Sequence, residues 1–319
     1  MHVDQQKQLL AEAETDLLDS RRVGLLGLTP VTVELARDLA LSGLADGLDG
    51  IYVAKPSTTL HLAAALRPLE ELMDRRPDTL VVCADAEKED LLAEALPYLT
   101  AQTKLVIAGF AHYAFREPDF DQITTELLVP TIANGYANCL VHLYQCLRNA
   151  ATLGLSGAVV EFGTYKGGTA AFLAKVVQRL RQSWPVLTLD TFNGFPAKRS
   201  ALDMYDSPAC EFRDAAAVAD YTERLGIELV IGDIVETAPS LEDRRFVLSF
   251  FDTDNYSSAM AGLAVVQDRT EVGGAIVFDH WVGTDRFRYT LGERFAARTL
   301  LEDPRYFNLH GTGVFLRQR

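Results

Sequence analysis

Acidic residues stand at the ends of apolar runs throughout the second half of this chain: Glu161 after Ala158-Val159-Val160, Asp190 after Leu187-Thr188-Leu189, Asp252 after Phe250-Phe251, and Asp279 after Val277-Phe278. Burying acids beside apolar strand interiors costs free energy unless something pairs with them, so the set points to a ligand. The run Glu161-Phe162-Gly163-Thr164-Tyr165-Lys166-Gly167-Gly168 adds a glycine turn between a strand and a helix. Such a turn lets backbone approach a ligand closely, and the helix start offers free N–H groups to a carboxylate. Taken alone, this loop reads equally well as a tight turn with no ligand.

The next strand ends shift that balance. A carboxylate at Asp190 is placed to accept two hydrogen bonds from a ribose diol. In Ile231-Gly232-Asp233-Ile234, Asp233 and a neighbouring amide are expected beside an adenine edge. A glycine loop, then an acid, then Gly-Asp fits S-adenosylmethionine better than a dinucleotide, whose fingerprint needs three glycines in GxGxxG spacing. The expected cofactor positions on the first strand end and its loop are Glu161, Gly163, Tyr165, Gly167 and Gly168. Those on the later strand ends are Asp190, Thr191, Phe192, Asp233, Ile234 and Asp252.

Asp252, Asp279 and His280 follow the fourth and fifth strands of this series, and strand ends of an open α/β sheet face one crevice. Two carboxylates with a third ligand suit a divalent cation, which lowers the pKa of a substrate hydroxyl. Each acid by itself reads as a helix cap or a solvated loop end.

Alternating apolar strands and helical patterns must position these residues. In the second half the expected strands are 158–162, 186–190, 229–231, 247–252 and 275–278, closed by an antiparallel pair at 306–309 and 313–317. A long helical pattern over 132–153 precedes them. In the first half, 22–30 reads as a buried strand turning into a helix that runs to about 42, and strands at 50–54, 79–83 and 104–108 follow with helices at 60–73 and 87–99, a smaller α/β unit of its own. The stretch 109–130, rich in aromatics, acids and prolines, loses this rhythm and carries the boundary. The expected division is 1–125, an N-terminal α/β domain, and 126–319, the domain with the acidic strand ends. The loop 193–213 is long enough to be a lid over a substrate. Trp281 and Tyr256 are either pocket walls or core.

Composition narrows the function. Hydrophobic residues make up 48% and charged residues 23% of 319 residues, as in ordinary globular proteins. With 44 acidic against 30 basic residues the net charge is -14, which disfavours nucleic acid, anionic membranes and bulky anionic substrates and favours a small neutral or cationic one. Cys83, Cys139, Cys146 and Cys210 lack CxxC spacing, and the start from Met1 to Asp19 is polar rather than signal-like, so the reducing cytoplasm is the expected compartment. No apolar run is suited to spanning a membrane.

Several segments together carry a family resemblance. They are Val160-Glu161-Phe162-Gly163-Thr164-Tyr165-Lys166-Gly167-Gly168-Thr169, Asp190-Thr191-Phe192-Asn193-Gly194-Phe195-Pro196, Phe251-Asp252-Thr253-Asp254-Asn255-Tyr256-Ser257-Ser258, and Gly273-Gly274-Ala275-Ile276-Val277-Phe278-Asp279-His280. From about Thr131 to its end the chain resembles the macrocin O-methyltransferase family of natural-product tailoring enzymes.

The resemblance implies a Rossmann-like methyltransferase domain, S-adenosyl-L-methionine as cofactor, and a hydroxyl of a small natural-product or sugar-like substrate as acceptor. It also implies a lean toward a homo-oligomer. It places magnesium on the first acid of the DxDxYxS segment and on a pair of acids after the fifth strand, hence Asp252 and Asp279. The second acid of that pair is His280 here, a poor ligand for a hard cation that suits a softer metal or proton transfer. The expected metal set is therefore Asp252, Asp279 and His280, holding Mg2+ or another divalent cation. The expected catalytic residues are His280, as general base with or without metal, and Asp252.

The N-terminal domain lies outside the resemblance. Its Gly24-Leu25-Leu26-Gly27 turn has two glycines and no acid at the end of the next strand, Ile51-Tyr52-Val53-Ala54. It reads as a degenerate Rossmann-like scaffold for dimerisation or substrate capping. Two alternatives stand against the methyltransferase: a nicotinamide-dependent oxidoreductase using that turn, and a non-catalytic methyltransferase-like binding protein.

Overall fold

A computed structural model describes residues 3–56, 62–109, 115, 117–131, 133, 139–211, 214–281 and 289–319. The chain divides into two compact units, Met1–Phe115 and Arg116–Arg319. The break falls inside the arrhythmic stretch 109–130, ahead of the 125/126 division. The helix Pro118–Thr125 is tied to the second unit, where Arg179 pairs with Asp119 at 2.7 Å and Phe120 meets Phe172 edge-on at 5.7 Å.

The first unit carries β1 (Val23–Leu26), β2 (Leu48–Val53), β3 (Leu66–Pro68), β4 (Thr79–Val82) and β5 (Lys104–Ile107). All pair in parallel, in the order β3-β2-β1-β4-β5. Apolar residues of the helices Val3–Leu18 and Pro30–Leu41 bury against one face, where Leu9, Leu35 and Leu39 meet Leu25, Ile51 and Val81. Thr29 and Thr32 form a capping box that starts the second of these helices.

Over 60–73, residues 60 and 61 lie outside the described set and the rest is not the expected helix. β3 is followed by a 3-10 turn at Leu69–Glu71 and a short helix at Leu72–Arg75. The outer edge of β2 recruits this segment, Ile51 pairing with Leu66. Pro68, which lacks a donor, is tolerated because β3 is an edge strand.

The second unit carries β6 (Ala158–Phe162), β7 (Val186–Asp190), β8 (Ile227–Ile231), β9 (Phe246–Phe251), β10 (Thr270–Phe278), β11 (Tyr306–Asn308) and β12 (Val314–Arg317). Their order is β11-β12-β10-β9-β6-β7-β8, parallel except that β12 runs antiparallel to both β10 and β11. This is the Rossmann-like sheet expected from the apolar runs, because strands of a parallel sheet covered on both faces read as continuous hydrophobic stretches. β6 and β9 are buried at every residue. Phe162, Phe251 and Phe278, from the adjacent strands β6, β9 and β10, stack at 4.7 and 4.9 Å under the strand ends.

Strand order reverses between β6 and β9, the place where open α/β sheets bind ligands. Within the expected helix 132–153 the described helix is Cys139–Thr152, with 132 and 134–138 outside the described residues. Among the described residues no helix is long and apolar enough to cross a membrane.

Candidate functional site

A cavity of about 500 Å³ opens where β6, β7, β9 and β10 end. Gly163 makes its floor possible: with φ at 97°, a Cβ there would lie 2.1 Å from the carbonyl oxygen of Asp252, so only glycine lets the ends of β6 and β9 meet. The turn then passes through Tyr165, left-handed at φ 49°, and reaches the helix Gly168–Arg179. Asp190, at the end of β7, closes this turn. Its Oδ2 accepts from the amides of Thr164 and Tyr165, each at 2.8 Å, and its Oδ1 from the amide of Phe192 at 2.8 Å.

Those two loop amides are thus committed to Asp190 rather than left free for a cofactor carboxylate. Oδ1 keeps one acceptor position, and Asp190 lines the cavity.

Glu161 lines the same cavity and is 1% exposed. Thr188 donates to its Oε2 at 2.6 Å, and Thr188 is in turn hydrogen-bonded to Thr164. Burial pushes the Glu161 carboxyl well above the usual range; the Thr188 hydroxyl opposes this, while the charges of Asp252 and Asp190 add to it. No cation of the protein is shown pairing with it among the described contacts. A buried acid of this kind suits a positively charged ligand.

In the same cavity, His280 Nε2 lies 3.0 Å from Asp254 Oδ1, 3.4 Å from Asp252 Oδ1 and 3.6 Å from Asp279 Oδ2. Burial pulls the imidazole pKa down, but hydrogen bonds to Asp252 and Asp254 and the charges of Glu293 and Asp252 override it, pushing it up to about 12. The imidazole is therefore a proton donor between two carboxylates. Burial and the charge of Asp252 push Asp254 up, against its hydrogen bond with His280. Among the described residues, the group with ligand atoms within 4.8 Å of one another is Asp252, Asp254 and His280.

Asp254, rather than Asp279, joins Asp252 and His280 in this group. The Asp279 side chain is 1% exposed and hydrogen-bonds the buried thiol of Cys139, and its amide extends the β9–β10 ladder to Phe251. Two carboxylates and an imidazole make a mixed oxygen and nitrogen donor set, which suits borderline divalent cations better than magnesium.

The family model described as macrocin-O-methyltransferase (TylF) matches residues 135–318. The chain belongs to this family. It is an O-methyltransferase, and its cofactor is S-adenosylmethionine. Over 219 residues, 63% of this chain and 82% of the relative, it is 25% identical to the 8-demethyl-8-(2,3-dimethoxy-alpha-L-rhamnosyl)-tetracenomycin-C 4'-O-methyltransferase of Streptomyces olivaceus. Among solved structures it is similar to the O-methyltransferase NovP, at 18% identity over 56% of this chain and 78% of that one, with a TM-score of 0.45. It is also similar to the calicheamicin methyltransferase CalS11, at 21% identity over 64% and 94%, with a TM-score of 0.46.

The cavity gathers Glu161, Gly163, Tyr165, Gly168, Asp190, Thr191, Ile234, Asp252 and His280 of the expected set. Gly167 and Phe192 support it from behind: Gly167 precedes the helix, and Phe192, left-handed at φ 53°, is buried. Asp233 is not among the lining residues. Its Oδ1 caps the helix Ile234–Thr237 and its Oδ2 holds Arg199 at 2.6 Å, so its neighbour Ile234 forms the wall instead. Trp281 and Tyr256 pack into the core, Trp281 edge-on against Phe315.

The loop after β7 is pinned rather than loose over 193–211. Asp203 accepts from the amides of Arg199, Ser200 and Ser257 and from the Ser257 hydroxyl. Asn255 pairs both ways with the backbone of Tyr205, at 2.9 and 3.0 Å. These pins set Tyr205 edge-on against Phe195, both in the cavity wall. Three acids of this region escape a reading of strand ends: Asp254, which sits in the quoted DxD segment, and Asp203 and Glu293, whose partners are distant in sequence.

Proposed function

We propose that the cavity methylates a ring hydroxyl of a sugar-bearing natural product, with S-adenosylmethionine along Glu161 to Gly168 and Asp190 and the acceptor between the acids and the lid. One observation carries this reading: the buried Glu161 and the Asp252–Asp254–His280 cluster line one cavity. The sugar comes from the tetracenomycin relative, whose name places its methyl on a rhamnosyl 4'-hydroxyl. Phe195, Pro196 and Tyr205 offer apolar walls for such a ring.

In this reading the remaining acceptor position of Asp190 takes a ribose hydroxyl, and Ile234 flanks the adenine. Glu161 faces the cationic end of the cofactor. Bound S-adenosylmethionine supplies an electrophilic methyl on a sulfonium, so the protein has only to align an oxygen and remove its proton. Asp254 takes that proton. His280 donates to Asp254 and Asp252 through Nε2, which leaves that nitrogen unable to accept, and its positive charge stabilises the oxyanion as it forms. The general base is therefore Asp254 held by His280, rather than His280 alone.

A divalent cation, where present, would be held by Asp252, Asp254 and His280, and would lower the pKa of the acceptor hydroxyl. Methylation assays with and without a chelator separate the two routes: full activity in the chelator supports the Asp254–His280 pair acting alone. Activity lost there and restored by a divalent cation gives the cluster to the metal.

For the N-terminal unit we propose a scaffold role, in capping or self-association, and no second cofactor. Leu91 packs so closely on Gly27 that a Cβ there would lie 2.6 Å from it. Stabilisation against heat by S-adenosylhomocysteine and not by NAD is expected, and the reverse would overturn the assignment of both turns.

Glu161→Gln should weaken S-adenosylmethionine about tenfold, the scale of one charge-assisted hydrogen bond less the desolvation that the neutral side chain avoids. The pH dependence has a definite sign. Burial keeps the proton on Glu161 in the free protein, with Asp252 and Asp190 reinforcing it. A cationic ligand favours the ionised form, so binding releases a proton and tightens as pH rises through the free-protein pKa. Calorimetry in buffers of differing ionisation enthalpy should detect that release in the wild type and not in Glu161→Gln. Equal proton release in both would remove Glu161 from the cofactor's charge.

A further inference from the structure

Glu293 belongs to no strand end and to none of the segments that carry the family resemblance. It sits on the six-residue helix Leu291–Ala296 and is 0% exposed. Its Oε2 accepts from the amide of Thr253 at 2.6 Å, the hydroxyl of Thr253 at 3.0 Å and the amide of Asp254 at 3.0 Å. Its Oε1 accepts from the amide of His280 at 3.2 Å. One carboxylate therefore bridges the turn after β9, which bears Asp252 and Asp254, and the turn after β10, which bears His280.

The local backbone explains why a carboxylate stands there. Asp254 is left-handed at φ 59°, and successive amides around such a residue form a concavity for an anion. Four donors use the lone pairs of Glu293, which offsets part of the cost of burying an acid; burial and the charges of Asp252, Asp254 and Asp279 still push its carboxyl up to about 8 against the charge of His280. The helix is also seated tightly. A Cβ on Gly292 would lie 2.3 Å from the carbonyl oxygen of Leu202 and 2.8 Å from the amide nitrogen of Tyr256, so this residue presses against both the lid loop and the start of the helix Tyr256–Val266.

We propose that Glu293 is a positioning residue for methyl transfer, clamping the ends of β9 and β10 so that Asp252, Asp254 and His280 converge on the acceptor. It touches neither cofactor nor acceptor and acts through the backbone of the residues that do. The inference rests on the reading of Asp254 and His280 as the proton-handling pair. The cofactor cradle on β6 and β7 does not depend on it, and this separation makes the role measurable.

The test compares Glu293→Ala and Glu293→Gln in kinetics, S-adenosylhomocysteine affinity and crystal structure. Loss of the clamp misplaces the pair, and misplacements of about an ångström cost large factors in rate, so Glu293→Ala is expected to lower kcat at least tenfold. Affinity for S-adenosylhomocysteine and KM for S-adenosylmethionine should stay within about twofold, since the cradle is intact. Glu293→Gln, which keeps one oxygen for the amides of Thr253 and Asp254, should recover part of the rate. In the crystal structure of Glu293→Ala, the 3.0 Å contact of Asp254 with His280 is expected to open beyond hydrogen-bonding distance.

A folded Glu293→Ala enzyme with wild-type kcat overturns the proposal, as does cofactor affinity falling in step with kcat. If Glu293→Ala does not fold, Glu293→Gln decides by the same two readings. A wild-type chain that methylates no hydroxylated acceptor would instead sink the functional reading. The Asp254–His280 distance in the Glu293→Ala crystal structure then decides the clamp by itself, an unchanged distance overturning it.

Discussion

Asp254→Asn is expected to lower kcat about 10³-fold, within the range that a positioned general base supplies, while leaving affinity for S-adenosylhomocysteine unchanged. The amide is nearly isosteric, so the left-handed turn at Asp254 and the backbone bonds to Glu293 survive. What disappears is the oxygen that carries the negative charge facing the cavity, and with it a proton acceptor. His280 cannot substitute while Nε2 donates to Asp252 at 3.4 Å, because a nitrogen carrying that proton has no lone pair to offer. Steady-state rates for an acceptor that the wild-type enzyme turns over provide the measurement. A kcat within a few-fold of wild type would move the base elsewhere, to Asp252 or to the route in which a divalent cation would lower the pKa of the acceptor hydroxyl.

Asp190→Ala is expected to weaken S-adenosylhomocysteine about 10²-fold or more. Three amides, those of Thr164, Tyr165 and Phe192, converge on this carboxylate. Each unsatisfied, partly buried donor costs about 1–3 kcal/mol, and two of the three shape the glycine turn. The loss therefore combines a ribose contact with a loosened loop. Calorimetric titration separates the result from simple unfolding when paired with a melting curve. A folded Asp190→Ala protein with wild-type affinity would contradict both the ribose assignment and the role of the turn.

The second sheet was legible because parallel strands buried on both faces have to be written as unbroken apolar runs; β7, β9 and β10 each end at an acid or just before one, and β6 carries Glu161 one residue before its end. The same logic failed at β3. The spacing of Leu62, Leu66, Leu69 and Met73 satisfies a helical period, and only the unpaired edge of β2 decides otherwise. Strand-end position also did not disclose that Asp233 caps a helix and holds Arg199, or that Asp279 is buried beside Cys139 with its Oδ2 3.6 Å from His280 Nε2. Period and position place a side chain on an element; its direction is settled by neighbours the sequence does not bring together.

Glu293 is the clearest case. Its partners Thr253 and Asp254 lie about forty positions away in the chain, and nothing in Leu291-Gly292-Glu293-Arg294-Phe295-Ala296 distinguishes it from a solvent-facing acid. A common device emerges from the two turns. After β6, the left-handed Tyr165 and its neighbouring amide close on Asp190; after β9, the left-handed Asp254 and its neighbouring amide close on Glu293. In both, a carboxylate shapes the backbone that presents the site, the half-buried Asp190 on the cofactor side and the buried Glu293 on the acceptor side.

A crystal structure with S-adenosylhomocysteine bound tests the central claim most directly. The ribose is expected within hydrogen-bonding distance of Asp190, the amino-acid end near Glu161, and the sulfur directed across the cavity toward Asp254 and His280 with room between them for a hydroxyl-bearing ring. A ligand whose sulfur points away from that pair, or one seated outside the cavity that Glu161 and Asp190 line, would contradict the account.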